Sequence, residues 1–234
     1  VNPPKTSFHN GVFVVRDDLF PGGTKARFLP HLFEGADEVV YASPAEGGAQ
    51  TALAHVAKAL GKRATIFVAK RAKPHNRAFE AKRVGAKVLQ VRPGYLTVVQ
   101  SRAREYCRRT GARLIPFGVN MPYAIEAISA AARAVDFDPD EVWCAAGSGV
   151  LSRGLSDAWP DANINAVQVG RGLTAKDVAG AKIHIHRMKF RDEARNQVPF
   201  PCDPHYDAKA WDMCMTNKGI GKVLFWNVTG PAQP

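Results

Sequence analysis

The sequence predicts an α/β protein with two open, mostly parallel sheets and flanking helices. From Tyr41 onward short apolar runs alternate with helix-like stretches, and the helical stretches end near glycine, at Gly61, Gly85 and Gly111. This alternation is how right-handed crossover units read. With 234 residues, 46% of them hydrophobic, the chain is long enough to bury a core in one or two small domains.

The elements follow in order. Residues 39–43 read as a strand and 51–61 as a helix whose Ala, Leu and Val recur at helical spacing. Next come a strand at 64–69, a polar basic helix around 75–86, a strand at 87–91, a helix near 97–111 and a strand at 113–117. Residues 43–117 are therefore expected to form a small domain. A second unit repeats the pattern, with a helix at 124–135 and strands at 141–147 and 163–170. Residues 1–42 look too short to fold alone and are expected to join 118–234 in a large domain, making the small one an insertion. Beyond Gly180 the periodicity fades, leaving strands expected within 181–190 and 222–228.

Composition excludes disorder and collagen-like repetition. The longest apolar runs, such as ATIFVA at 64–69, fall far below the roughly 18 residues of a membrane span, and the opening VNPPKTSFHN has no apolar signal core. A cytoplasmic protein without membrane contact is expected. Cys107, Cys144, Cys202 and Cys214 lack CxxC spacing and read as reduced packing residues. His184 and His186, and Cys202, His205 and Cys214, read as surface and packing residues, so no metal is expected. The formal net charge is +11, yet residues 61–113 hold 15 basic and 2 acidic side chains, 15 − 2 = +13. That concentration is the electrostatic footprint of a polyanion partner, with a solvated face as the alternative.

Three segments carry candidate chemistry. Lys25 follows Gly22 and Gly23 at the start of an apolar stretch, and lysine forms Schiff bases when desolvation or a nearby cation such as Arg27 frees its amine. CAAGSGVLSRGL (144–155) is a strand entering a helix through Gly147, Ser148 and Gly149, a turn whose N–H groups suit a phosphate. SPAEGGAQTALAH (43–55) is a second strand, glycine turn and helix, suited to an anionic substrate group.

Together these segments resemble the fold type II pyridoxal phosphate (PLP) enzymes, which are tryptophan-synthase-β-like, in the branch of aminocyclopropane-carboxylate deaminase and D-cysteine desulfhydrase. VRDDLFPGGTKARFL, GSGVLSRGL, CDPHYDAKAWD and VLFWNVTG are similar to four motifs of that branch, in its order and nearly end to end. The resemblance implies PLP as cofactor, Lys25 as its Schiff-base lysine, and Gly147, Ser148, Gly149, Val150 and Leu151 around its phosphate. It implies Asp207 or Thr229 at the pyridine nitrogen, where an acid makes the ring a stronger electron sink than a hydroxyl does. Tyr206 matches a tyrosine near the substrate, a candidate acid/base or orienting group.

The departures concern the substrate. Gly47, Gly48 and Ala49 stand where the branch has Ser-Asn-His, so substrate recognition by Gly47, Gly48, Ala49 and Gln50 must differ. The segment between the GSG turn and DPHY is short, which implies a reduced large domain and a more open site. With the basic segment, these features resemble the compact PLP enzymes of tailed bacteriophages that act in thymine hypermodification. That resemblance implies a PLP-dependent lyase, a decarboxylase acting on an amino-acid adduct of thymine in phage DNA, in the host cytoplasm. Lys70, Arg71, Lys73, Arg77, Lys82 and Arg83 are the expected DNA contacts, with Arg102, Arg104, Arg108 and Arg109 as a second group. No aromatic wedge for an extruded base is apparent. A homodimer is expected, as is common in this fold. The alternatives are a deaminase or desulfhydrase-type lyase acting on a free small amino acid, and an inactive nucleic-acid-binding module.

Overall fold

The computed structural model describes residues 3–232. In chain order the elements are β1 (Thr6–His9), β2 (Val12–Arg16), β3 (Glu38–Ala42), α1 (Ala49–Ala59), β4 (Arg63–Ala69), α2 (Asn76–Val84), β5 (Lys87–Val91), α3 (Leu96–Thr110), β6 (Arg113–Leu114), α4 (Pro122–Arg133), β7 (Glu141–Ala146), α5 (Val150–Ala158), β8 (Asn163–Gln168), α6 (Ala175–Val178), β9 (Lys182–Ile185), α7 (Asp207–Asn217) and β10 (Val223–Asn227). The alternation expected from sequence is present. The strand expected over 113–117 pairs only at Arg113–Leu114, and that expected within 181–190 only at Lys182–Ile185. The β1–β2 hairpin, α6 and α7 have no counterpart in the expectation.

The chain forms two compact units. One comprises the described residues up to Phe20 with Asn120–Pro231, the other Pro21–Val119. The boundary therefore differs from the expected one, because residues 21–42 belong with the small unit. The cause is β3, which pairs along its length with β4 and also with β6, so the segment leading into it is drawn along.

The small unit has a four-stranded, all-parallel sheet of order β5-β4-β3-β6. β3 and most of β4 are buried, as continuous apolar runs in a helix-covered parallel sheet must be. Because the strands all run one way, the loops following β3, β4 and β5 share its C-terminal edge. The C-terminal ends of α2 and α3 return to the opposite edge.

The large unit has a six-stranded sheet of order β1-β2-β10-β7-β8-β9, parallel except for the β1–β2 hairpin. Side chains alternate across it with period two. Trp143, Ala145 and Phe225 face Ala210, Trp211 and Cys214 of α7, while Ala146 and Ala166 cluster with Val178 of α6. Phe200, Trp211 and Phe225 meet edge to face or tilted, with ring centroids 4.9 to 6.0 Å apart. Among the described residues no helix is long and apolar enough to cross a membrane.

Candidate active site

In the large unit, motifs some 200 residues apart in sequence are joined by hydrogen bonds. The Asp17 carboxylate accepts from Trp226 Nε1 at 3.2 Å, and Asp18 accepts from Asn227 Nδ2 at 2.8 Å while also receiving two bonds from Arg16. Asn227, fully buried, also donates to the carbonyl of Pro201. The RDD segment is thus bound to the end of β10. From there the network continues to DPHYD: Asp207 Oδ1 accepts from Val228 N at 3.2 Å and Oδ2 from Thr229 N at 3.3 Å, while Asp203 N donates to the carbonyl of Thr229. Asp207 opens α7 and is fully buried. Two backbone N–H groups thus satisfy oxygens of this buried side chain, as burial of a polar group requires.

Tyr206 joins this group to the glycine turn. Its hydroxyl accepts from Gly147 N at 2.8 Å and donates to the Ala145 carbonyl at 3.3 Å. Burial, with the neighbouring Asp207 carboxylate, pushes the phenol well above its ordinary value, so it stays protonated at neutral pH. The hydroxyl expected to act on substrate is therefore engaged with the backbone of the turn.

The turn itself must be glycine at 149. Its φ is +83°, and a Cβ there would lie 1.9 Å from the carbonyl oxygen of Asp177 and 2.7 Å from its carbonyl carbon. Asp177 is fixed in turn by a capping box with Thr174, at the start of α6, and by an ion pair with Arg171 at 2.7 Å. Those bonds hold its carboxyl at about 2, with Arg171 the largest cause. Val150 and Leu151 are the first residues of α5, which begins without a side-chain cap. Its first-turn N–H groups are therefore left for an anion. Ser152 donates to the Gly149 carbonyl rather than toward the turn. Ser148 is partly exposed on the same turn. The Thr229 side chain has no partner among the described residues and is partly exposed at the end of β10.

Lys209 is a second lysine within the quoted motifs, in DPHYDAKAWD. It is buried, and its amine donates to the carbonyls of Lys189 at 2.6 Å and Phe190 at 3.2 Å, which pins that segment. His184 pairs with Asn165 and His186 with Asp212. Burial pushes the thiols of Cys144, Cys202 and Cys214 far up, so they remain thiols at neutral pH.

In the small unit, Lys25 sits in a 3-10 turn, Gly23–Arg27, packed on α1. Gly22 permits that approach: its φ is +90°, and a Cβ would lie 3.0 Å from the Ala52 Cα. The loop expected from sequence to meet substrate, called the substrate loop below, follows β3. Gly47 N donates to the Pro44 carbonyl, and Gly48 caps α1. Ala49 and Gln50 are buried. Gln50 Nε2 donates to the carbonyls of Pro44 and Ala45, at 3.3 and 2.8 Å, so its side chain is turned into the loop and shapes it. Glu46, absent from the expected site, is buried and paired with Arg71 at 2.8 Å.

The expected DNA contacts separate. Arg77 is only 1% exposed and lies 3.5 Å from Glu80, so it is an interior ion pair and not a surface contact. Lys82 and Arg83 occupy the last turn of α2, and Arg108 and Arg109 that of α3, on the edge away from the substrate loop. There cations complement the helix dipoles. Other cations of that edge hold the fold: Lys62 donates to the carbonyls of Phe33 and Ala36, and Arg113 to those of Leu32 and Glu34. Arg102 pairs with Glu105, and Arg104 is exposed on α3. Lys70, Arg71 and Lys73 follow β4, on the edge of the substrate loop.

These residues suit pyridoxal phosphate. An uncapped helix start behind a glycine turn that admits no Cβ suits its phosphate, and the Thr229 hydroxyl, without a partner among the described residues, suits its ring nitrogen.

Comparison with known proteins agrees. The family of pyridoxal-phosphate dependent enzymes matches residues 4–199. The glycyl-dTMP PLP-dependent decarboxylase of Pseudomonas phage M6 is 24% identical over 221 residues, covering 76% of each chain. Among solved structures, a homologue of ACC deaminase superposes with a TM-score of 0.80 at 20% identity, over 94% of this chain and 84% of that one. The threonine deaminase of T.th. gives 0.74 at 18%, over 99% and 92%. Maize serine racemase gives 0.71 at 15%, over 99% and 88%. With the matching family spanning most of its length and these folds superposing, the chain belongs to the pyridoxal-phosphate dependent enzymes of fold type II, and pyridoxal 5'-phosphate is its cofactor.

Proposed function

We propose that the chain is a PLP-dependent lyase that removes the α-carboxylate of an amino acid attached to thymine in phage DNA. The observation that carries this reading is the similarity, over three quarters of both chains, to the phage glycyl-dTMP decarboxylase. Two features support it. The loop over Gly47, Gly48 and Ala49 offers backbone and little side chain to a substrate. Exposed cations beside that loop, Lys70 and Lys73, suit a substrate carried on a polyanion.

The roles follow residue by residue. Lys25 would hold the cofactor at rest, and the N–H groups at Gly147, Ser148, Gly149, Val150 and Leu151 would hold its phosphate. The Thr229 hydroxyl would hold the ring nitrogen, while Asp207, whose oxygens already accept from Val228 and Thr229, fixes the backbone of that segment. When bound, the cofactor draws electrons from the substrate's α-carbon so that a bond there can break. As carbon dioxide departs, the Lys25 ammonium would deliver the proton that replaces the carboxylate at the α-carbon. Tyr206 is a positioning residue, holding Gly147 from behind.

The test begins with the absorbance spectrum of the PLP-loaded protein, borohydride reduction and peptide mapping, with Lys25→Ala alongside. The expected adduct lies on Lys25, and an adduct on Lys209 would overturn the assignment. Carboxyl-labelled amino acid on a thymine-containing oligonucleotide is then supplied, and labelled carbon dioxide is collected. Release from the oligonucleotide is expected. Turnover of free amino acids alone, or loss of ammonia with the carboxyl retained, would overturn the reading in favour of a lyase on small amino acids.

A further inference from the structure

The C-terminal edge of the small unit's sheet carries an aromatic ring that the described residues leave exposed. Tyr95, in the turn after β5, is 86% exposed, and it has no side-chain partner among the described residues. A tyrosine so exposed beside Val98, itself 41% exposed, is an apolar surface that a monomeric fold gains nothing by displaying. Its surroundings are cationic. Arg92 precedes it in the same turn, and Lys70 N donates to the Val91 carbonyl at 2.8 Å, which sets the loop after β4 directly beside that turn. Lys70, Lys73 and Arg92 are exposed and likewise have no side-chain partner among the described residues. The row then reaches Arg71, held 2.8 Å from Glu46, which is itself in the substrate loop. Ring, cations and substrate loop therefore lie along three neighbouring strand ends, about 10 Å from first to last at the usual strand spacing.

We propose that this edge is a docking platform for single-stranded or locally unpaired DNA, with a base stacked on the Tyr95 ring and phosphates held by Arg92, Lys70 and Lys73. The inference rests on the reading of a DNA-borne substrate and names the surface that receives it. The chemistry selects the partner. A ring face accepts any base, but only one released from a duplex stack, and a few cations track the phosphates between that base and the next. Duplex DNA offers the phosphates without a free base face. The cations of the opposite edge, in the last turns of α2 and α3, lie a strand length away, roughly 20 Å for the seven residues of β4, and do not border the substrate loop.

Fluorescence anisotropy of the PLP-loaded protein with labelled oligothymidylate tests this. Tyr95→Ala is expected to weaken binding roughly tenfold, and Tyr95→Trp to restore it, because any aromatic ring stacks. Replacing Lys70, Lys73 and Arg92 by Ala is expected to lower the slope of log affinity against log salt by about 2, at about 0.7 per phosphate contact. Lys58→Ala, an exposed charge on the opposite edge, controls for net charge. If wild type binds oligothymidylate and the Tyr95 variants bind equally well, the platform is overturned while a DNA-borne substrate stands. If wild type binds no oligonucleotide and releases carbon dioxide only from free amino acids, both fall. If Tyr95→Ala instead changes the sedimentation coefficient of the free protein, the surface belongs to a second copy of the chain and the platform is overturned.

Discussion

Replacing Tyr206 by Phe separates two roles that a tyrosine beside a cofactor can play. The substitution keeps the ring and removes one oxygen, which accepts from Gly147 N at 2.8 Å and donates to the Ala145 carbonyl at 3.3 Å. The N–H of Gly147 then loses its acceptor. A buried donor left unpaired costs about 1–3 kcal/mol, and because Gly147 is partly exposed the lower half of that range, about 1–2 kcal/mol, applies. For a chain of this length each kcal/mol moves the melting temperature by about 2–4 °C, so a fall of several degrees is expected. The same loosening reaches the turn proposed to hold phosphate, and a loss of about 1.4 kcal/mol there raises the dissociation constant for PLP about tenfold. Scanning calorimetry of the cofactor-free protein and a PLP titration read the two effects separately. An acid/base role would instead lower turnover by about 10²–10⁴ with stability and PLP affinity intact. That second pattern would refute the bracing role.

Two further outcomes follow from the same region. Gly149→Ala sets a Cβ against the Asp177 carbonyl and imposes a positive φ on alanine, at least about 2 kcal/mol together, whereas Gly172→Ala, with nothing near its Cβ, stays within about 0.5 kcal/mol; urea midpoints check this, and a wild-type midpoint for Gly149→Ala would contradict it. The Asp177 carboxyl, held at about 2 by Arg171 and Thr174, has a folded value below its ordinary 3.8, so its stabilising contribution is present above 3.8 and lost as pH falls through about 2. Carbon-detected NMR should place its midpoint near 2 and return it upward in Arg171→Ala; a midpoint near 3.8 in the wild type would contradict the ion pair.

Much of the fold is legible along the chain because its signals are local. The strands at 64–69 and 87–91 and the intervening helix are readable from period and from the glycine stop, all within a few residues of one another. Helix α7 escapes such a reading because polar Asp207 and Lys209 are among its buried residues, which blurs the division between apolar and polar positions that makes helical periodicity visible. The unit boundary escapes it too, because β3 takes its partners from β4 and β6, and strand order is not written in the strand itself.

The candidate site divides in the same way. The α/β class, the two sheets and, through four motifs in order, the cofactor can all be read from the chain alone, since turn chemistry and hydrophobic period act over short stretches. How those residues are partnered is decided only in the folded molecule. Asp207 and Thr229 are equivalent candidates in the sequence, but the fold gives the carboxylate two backbone donors and leaves the hydroxyl without a partner among the described residues. Tyr206 meets Gly147 from 59 residues away. The basic segment reads as one block of charge, yet antiparallel packing of helix on strand sends Lys70 and Lys73 to one edge, Lys82 and Arg83 to the other, and Arg77 into the interior. Burial and pairing are set by neighbours distant in sequence, and only folding brings those neighbours together.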